Sequence, residues 1–183
     1  LSLAAITRLL KALLKDGISL SHPLPILSSL SNAVQHTLEH DRLVDLVRAD
    51  LGPMIVAKVC GPGQRLPVIT LDARLEEMIL QGLRDPATGE PVIEPELARS
   101  IGSRVADLVA ATPPGTSPPA LVVQPNARRA LSALLHLRAP NCLVLSIAEL
   151  PPAQPIEVIS VVGGESANEP LRHDSATIES IAA

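Results

Sequence analysis

The stretch Cys60-Gly61-Pro62-Gly63-Gln64 divides this chain into two different patterns. Before it, apolar residues recur every three or four positions, the spacing that lines one face of an α-helix. After it, short apolar runs alternate with helical patterns, the spacing of βαβ units. A Gly-Pro-Gly core is itself a turn signal. The expected architecture is α+β. It comprises a small helical subdomain over residues 1–62, an α/β sandwich subdomain over 63–163 and a flexible C-terminal tail over 164–183, polar and without a fixed fold to at least residue 174.

In the first part, Leu3, Ile6, Leu9, Leu10, Leu13 and Leu14 predict a helix over 3–15, with Gly17 at its C′ position. A second helix is expected over 24–38, with Leu27, Leu30, Val34 and Leu38 inward and Pro25 in its first turn. Asp41 is expected to cap a third helix over 42–51, burying Leu43, Val47, Leu51 and Leu46. Residues 53–60 fit either helix or strand. In the second part, strands are expected at 66–72, 120–123, 142–146 and 156–162. Helices are expected at 73–83, from Pro95 to about Ala110, and at 126–137. Asp72 reads as the N-cap that ends a strand and starts a helix.

The chain is 46% hydrophobic, yet it contains no Phe, Trp or Tyr. Its core must therefore be built from Leu, Ile, Val and Ala. Binding of single-stranded nucleic acid by stacking on aromatic platforms is excluded. Net charge is −4 and no basic stripe is evident, so neither nucleic acid nor an anionic membrane surface is an expected partner. The only cysteines, Cys60 and Cys142, lie among apolar residues, which suits buried reduced thiols. The sequence leaves open a disulfide between them. No apolar run is long enough to span a bilayer. Arg8, Lys11 and Lys15 interrupt the opening segment at helical spacing, so it reads as an amphipathic helix rather than a signal peptide.

Several short motifs invite a chemical reading. His36-Thr37-Leu38-Glu39-His40 fits H-x-x-E-H, in which two imidazoles hold zinc and the glutamate activates its bound water. A zinc-dependent peptidase using His36, Glu39 and His40 is accordingly the alternative function. It requires one unbroken helix through the motif and a third ligand. The motif straddles the expected junction of two helices, which favours two solvent-facing histidines. Gly61-Pro62-Gly63-Gln64 lacks the Lys-Ser/Thr of a phosphate loop. Ser146 and Glu149 have no histidine in pattern to act as base. His136 and the pair Arg128-Arg129 read as helix-surface residues, and Asp72, Glu76 and Glu77 as first-turn acids favoured by the helix dipole. No nucleophile, base and oxyanion donor assemble, so no catalytic residue, metal or cofactor is assigned.

The order of pieces resembles one family over residues 1–164. The opening LSLAAITRLLKALLKDGISL matches L-x-x-I-x-x-x-L-x-x-L-L-x-x-x-V-S-I, and DRLVDLVRADLG (41–52) matches L-x-E-x-V-R-x-x-L-G. VITLDARLEEMI (68–79) matches V-I-x-L-D-x-x-L-E. Residues 120–150 match P-x-L-L-V-x-P-x-x-R-x-x-L-x-x-L-L followed by P-x-L-x-V-L-S-x-x-E-I. IEVISVVGG (156–164) resembles I-x-V-x-x-x-V-G-G. Together these resemble the FlhA/InvA (FHIPEP) family, the export gate of type III secretion systems. Two departures stand out. Ile147 and Leu75 occupy positions where the family often has an aromatic, and Ser21-His22 replaces an Arg-Asp pair.

The resemblance implies the last two subdomains of the family's C-terminal cytoplasmic part, at the cytoplasmic face of the bacterial inner membrane. It implies a non-catalytic module whose partners are other subunits of a nine-membered ring, export chaperone–substrate complexes and other components of the export apparatus. Val161-Val162-Gly163-Gly164 points to the flagellar branch. The family's chaperone-docking groove lies largely in the preceding subdomains and is not carried over to residues here. At the subunit contact, the third helix is expected to present Arg42, Asp45 and Arg48 on a mixed-charge face opposite Leu43, Val47 and Leu51.

Overall fold

A computed structural model describes residues 1–87, 89–113 and 115–163. The expected tail over 164–183 lies outside the described residues. Four helices come first: α1 (Leu3–Lys15), α2 (Pro23–Ala33), α3 (His40–Asp50) and the short α4 (Gly52–Val56). The ambiguous apolar run at 53–60 is thus helical at its start. There follow β1 (Leu66–Leu71), α5 (Ala73–Gln81), α6 (Pro95–Ala110), β2 (Ala120–Val123) and α7 (Pro125–Arg138). The chain then forms β3 (Val144–Ser146), a 3₁₀ turn (Ile147–Glu149) and β4 (Ile156–Val162). Helices and a four-stranded sheet bear out the α+β class.

The boundaries have local causes. The Ser2 side chain accepts from the Ala5 amide at the start of α1, and Gly17, at φ +76°, turns the chain away at its end. Asp72 closes β1 and opens α5, its Oδ1 accepting from the amides of Arg74 (3.0 Å) and Leu75 (3.4 Å). Pro95 takes the first position of α6, where a missing N–H leaves no bond unmade.

The second helix departs from expectation. It ends at Ala33, and residues 34–36 form a turn. Ile26, Ser29, Leu30 and Ala33 face inward, whereas Leu27 and Leu38 are exposed, Leu38 at 73%. Leu46 of α3 is likewise exposed, and Val44 takes the inward place beside Leu43 and Val47. Leu83 falls beyond the end of α5 and is exposed.

All four strands are parallel, in the order β3-β2-β1-β4. Val68 pairs with Ala120, Leu121 with Val144 and Leu66 with Ile156. Successive side chains of a strand point to opposite faces. Leu66, Val68, Ala120, Val122 and Leu145 therefore join the core built by α1 to α4. Ile69, Leu71, Leu121, Val123 and Val144 join the core built by α5, α6 and α7. Helices cover both faces, which is why β1, β2 and β3 read as near-continuous apolar runs. The sheet thus lends one face to the helical part of the chain. The 3₁₀ turn after β3 packs against α3 and α4, so the link from β3 to the opposite edge at β4 passes on that side.

Candidate functional site

The turn of Ile147–Glu149 lays a carboxylate, Glu149, between two arginines of distant elements. Arg48 comes from α3 and Arg128 from the first turns of α7. Both lie on the apolar stripes of their helices. Val44, Val47, Arg48 and Leu51 share one face of α3, and Ala127, Arg128, Leu131 and Leu135 share one face of α7. Helical spacing alone carries these guanidinium groups inward.

Arg48 grips Glu149 with both prongs. Its Nε donates to Oε1 at 3.0 Å and its Nη2 to Oε2 at 2.7 Å. Its Nη1 donates to Oδ2 of Asp16 at 2.9 Å, and Nη2 also reaches the Val144 carbonyl at 3.4 Å. Arg128 meets the same two carboxylates from the other side. Its Nη1 donates to Asp16 Oδ2 at 2.9 Å, and its Nε lies 3.5 Å from Glu149 Oε1. A further bond, at 3.1 Å, runs from its Nη2 to Asp45 Oδ1. The Ser146 hydroxyl donates to Glu149 Oε1 at 3.1 Å.

The side chains of Arg48, Arg128 and Glu149 are at most 2% exposed, and Asp16 is 18% exposed. A buried charge is tolerated only when it is paired and its hydrogen bonds are made. Among the described residues, no buried side-chain nitrogen or oxygen lacks a partner.

Arg129 extends the cluster outward. It lies 2.7 Å from Asp41, 3.7 Å from Asp45 and 3.5 Å from Glu90. Burial lowers its pKa, and the charges of Asp45, Asp41 and Glu90 more than reverse that, so it is raised above the ordinary value. Gly52, at the start of α4, lets the backbone of Glu149 approach: a Cβ there would collide with the Glu149 carbonyl.

The expected subunit-contact residues separate. Arg42 is exposed, with Glu39 at 3.7 Å. Asp45 is half-buried and bound to Arg128 and Arg129. Arg48 is buried within the chain, so α3 does not present all three on one outer face. The reading of Arg128 as a helix-surface residue is also corrected, because it belongs to the buried face of α7.

The geometry a zinc peptidase needs is not formed. His36 lies in the turn after α2, and His40 is the first residue of α3, so no single helix aligns the two imidazoles. Among the described residues, no group of three His, Cys, Asp or Glu is placed to hold a metal. Ser146 gives its proton to a carboxylate already spent on two arginines. Gly61 and Gln64 close a turn on each other, with Gly63 at φ +72°. His136 is exposed. Cys60 and Cys142 are free and buried. The buried cluster fixes shape, and none of its buried side-chain nitrogens or oxygens is left without a partner.

Sequence reasoning missed Asp16 altogether. The remaining members lie inside the quoted family motifs: Asp45, Arg48 and Gly52 in 41–52, and Arg128, Ser146 and Glu149 in 120–150. The signal that would have joined them is an arginine falling on an apolar stripe.

Comparison with known proteins agrees with those motifs. A family model described as the FHIPEP family matches residues 1–155. The flagellar biosynthesis protein FlhA of Proteus mirabilis is 28% identical over 166 residues, covering 91% of this chain and 23% of that protein. The chain thus spans about a quarter of the length of curated relatives it matches. Among solved structures, that of the Chlamydia pneumoniae CdsV and CdsO protein complex aligns with a TM-score of 0.77 and 27% identity, over 88% of this chain and 48% of that one. The nonameric EscV cytosolic domain from the type III secretion system aligns with a TM-score of 0.70 over 88% of this chain and 48% of that one. At 20% identity that likeness shows the fold.

Proposed function

The chain belongs to the FHIPEP family, and from that premise we propose that it is an assembly and docking module of a type III protein export gate. In this reading it is non-catalytic and works at the cytoplasmic face of the bacterial inner membrane. It sits beside copies of itself in a ring and presents surface to chaperone–substrate complexes and other components of the export apparatus. The flagellar branch is favoured by Val161-Val162-Gly163-Gly164 and by the likeness to FlhA.

One observation carries the proposal. The charged residues of two separate family motifs, 41–52 and 120–150, converge on one buried cluster in which no buried side-chain nitrogen or oxygen lacks a partner. Such a cluster holds the helical part and the α/β part in a fixed relation and offers no reacting group. A rigid subunit that meets its neighbours is the use that suits it. Residues 1–62 and 63–163 are proposed as two subdomains of the gate that share the sheet face between them.

Of the three α3 residues, Arg42 is proposed to meet the neighbouring subunit. Its pair with Glu39 is long and solvent-exposed, and such pairs contribute little within one chain. A charge of this kind sets register and orientation at an interface more than affinity. Asp45 and Arg48 act behind it by seating α3.

The test is Arg42→Glu in a full-length gate. Ring formation, read by electron microscopy of detergent-extracted gates, should fall, with protein export falling alongside it. The melting temperature of the 183-residue chain carrying the same change should stay within about 2 °C, as expected of an exposed site. Normal rings and normal export would remove Arg42 from the contact.

A further inference from the structure

We infer that Asp16, Arg48, Glu149 and Arg128 form a latch that seats helix α1 on the rest of the molecule, and that Asp16 is the position at which it opens. Each arginine touches both carboxylates, and each carboxylate touches both arginines. The four charges alternate around a closed loop and sum to zero. Loss of Glu149 would leave Arg48 with Asp16 alone, whereas loss of Asp16 leaves each arginine another carboxylate, so the consequences differ from member to member.

Glu149 is gripped through both oxygens and lies wholly inside. Asp16 is held through one oxygen, Oδ2, which serves both arginines, and it is the member that meets water. Its position is also unfavourable by itself. Asp16 is the C-cap of α1, where the last helical carbonyls present partial negative charge to a carboxylate. The two guanidinium groups offset that repulsion.

Helix α1 packs on α3 and buries Leu9 and Leu13 in the shared core, and Asp16 carries it on to Arg128 of α7, 112 residues away. When Asp16 is lost, Arg48 remains bound to Glu149, and Arg128 remains near Glu149 and bound to Asp45. The joint between α3, α7 and the 3₁₀ turn therefore survives. Release is local to α1 and to the connector that follows Gly17. The inference depends on this geometry alone and stands apart from the proposed role in export.

Hydrogen exchange read by mass spectrometry on the 183-residue chain tests it. Asp16→Ala should speed exchange of the amides of Leu9–Lys15 and Ile18–Ser21 by about tenfold to a hundredfold, the range set by losing charge-assisted hydrogen bonds. Amides of α7, β1 and β2 should change by less than about twofold. Asp45→Asn is the control. It weakens an outer bond of Arg128 and leaves Asp16 with both arginines, so α1 should keep its protection. Unchanged exchange in α1 on Asp16→Ala would overturn the latch. So would a uniform rise across α1, α7 and the sheet, or unfolding of the variant, since the loop would then carry global stability. Equal loosening of α1 by Asp45→Asn would remove Asp16 from its assigned place.

Discussion

Glu149→Gln isolates the electrostatics of the buried cluster from its shape. The amide matches the carboxylate in volume, so no cavity opens. The negative charge between Arg48 and Arg128 disappears, and the loop with Asp16 goes from neutral to a net charge of +1. Whichever way the amide turns, its nitrogen must face a guanidinium nitrogen of Arg48 that has only protons to give, at the place where Nη2 now donates at 2.7 Å or Nε at 3.0 Å. Breaking a buried ion pair by removing one partner costs roughly 3–5 kcal/mol. For a chain of 183 residues, each kcal/mol lowers the melting temperature by about 2–4 °C. The variant should melt roughly 6–20 °C lower by circular dichroism. The contrasting variant is Arg48→Met, Arg128→Leu and Glu149→Met together. Removing the whole buried group also removes its desolvation cost, and replacements of this kind are neutral or stabilising in general. Asp16 and Asp45 can turn to water, because both already reach it. The single change should therefore be worse than the triple change. If Glu149→Gln costs less than about 1 kcal/mol, or if the triple variant is the less stable of the two, the cluster is not balanced as argued here.

Two further outcomes follow from burial. Gly52→Ala places a methyl group against the Glu149 carbonyl, a backbone atom that cannot swing aside; urea unfolding should show a loss of about 1–3 kcal/mol, and an unchanged midpoint would refute the close approach. Burial pushes the Cys142 thiol up to about 11, with the Leu121 backbone hydrogen bond pulling it back only in part; iodoacetamide at pH 8 should label Cys142 at least tenfold more slowly in the folded chain than in urea, and equal rates would count against a buried thiol.

How far the sequence could be read depended on whether a feature has a local cause. The limits of α1 and α6 and the junction from β1 through Asp72 into α5 were legible, because each is fixed by a cap, a glycine or a proline within a few residues. Helix α2 was legible only in part. Leu24, Ile26, Leu27 and Leu30 place apolar residues all around it, so periodicity allows two stripes, and packing against α3 chose the one through Ile26 and Leu30. Strand order was not legible. The sequence shows four apolar runs, but β4 lies beside β1 because residues 147–155 lead back past α3 and α4 to the far edge of the sheet, and no local pattern encodes that path.

The candidate site divides along the same line. Arg42, Asp45 and Arg48 were grouped by treating charge as a mark of surface, and three charges within seven residues do look like one solvated face. The stripe of Val44, Val47 and Leu51 already contradicted this for Arg48, since a residue four positions after Val44 and three before Leu51 faces where they face. Where charge and periodicity disagree at one position, the local rule is being overridden by something distant, and functional or strained sites are where such conflicts are expected. For Arg48 the distant thing is Glu149, 101 residues on, with Asp16 behind it. Asp16 gives no conflict of periodicity, and its opposition to the helix dipole is mild enough to pass for a solvated end. An acid just past a helix end reads as ordinary solvated charge, and only the folded chain shows that two arginines were brought to it. The inward arginines could thus have been suspected from sequence, whereas the carboxylate that links them had to be seen in the fold.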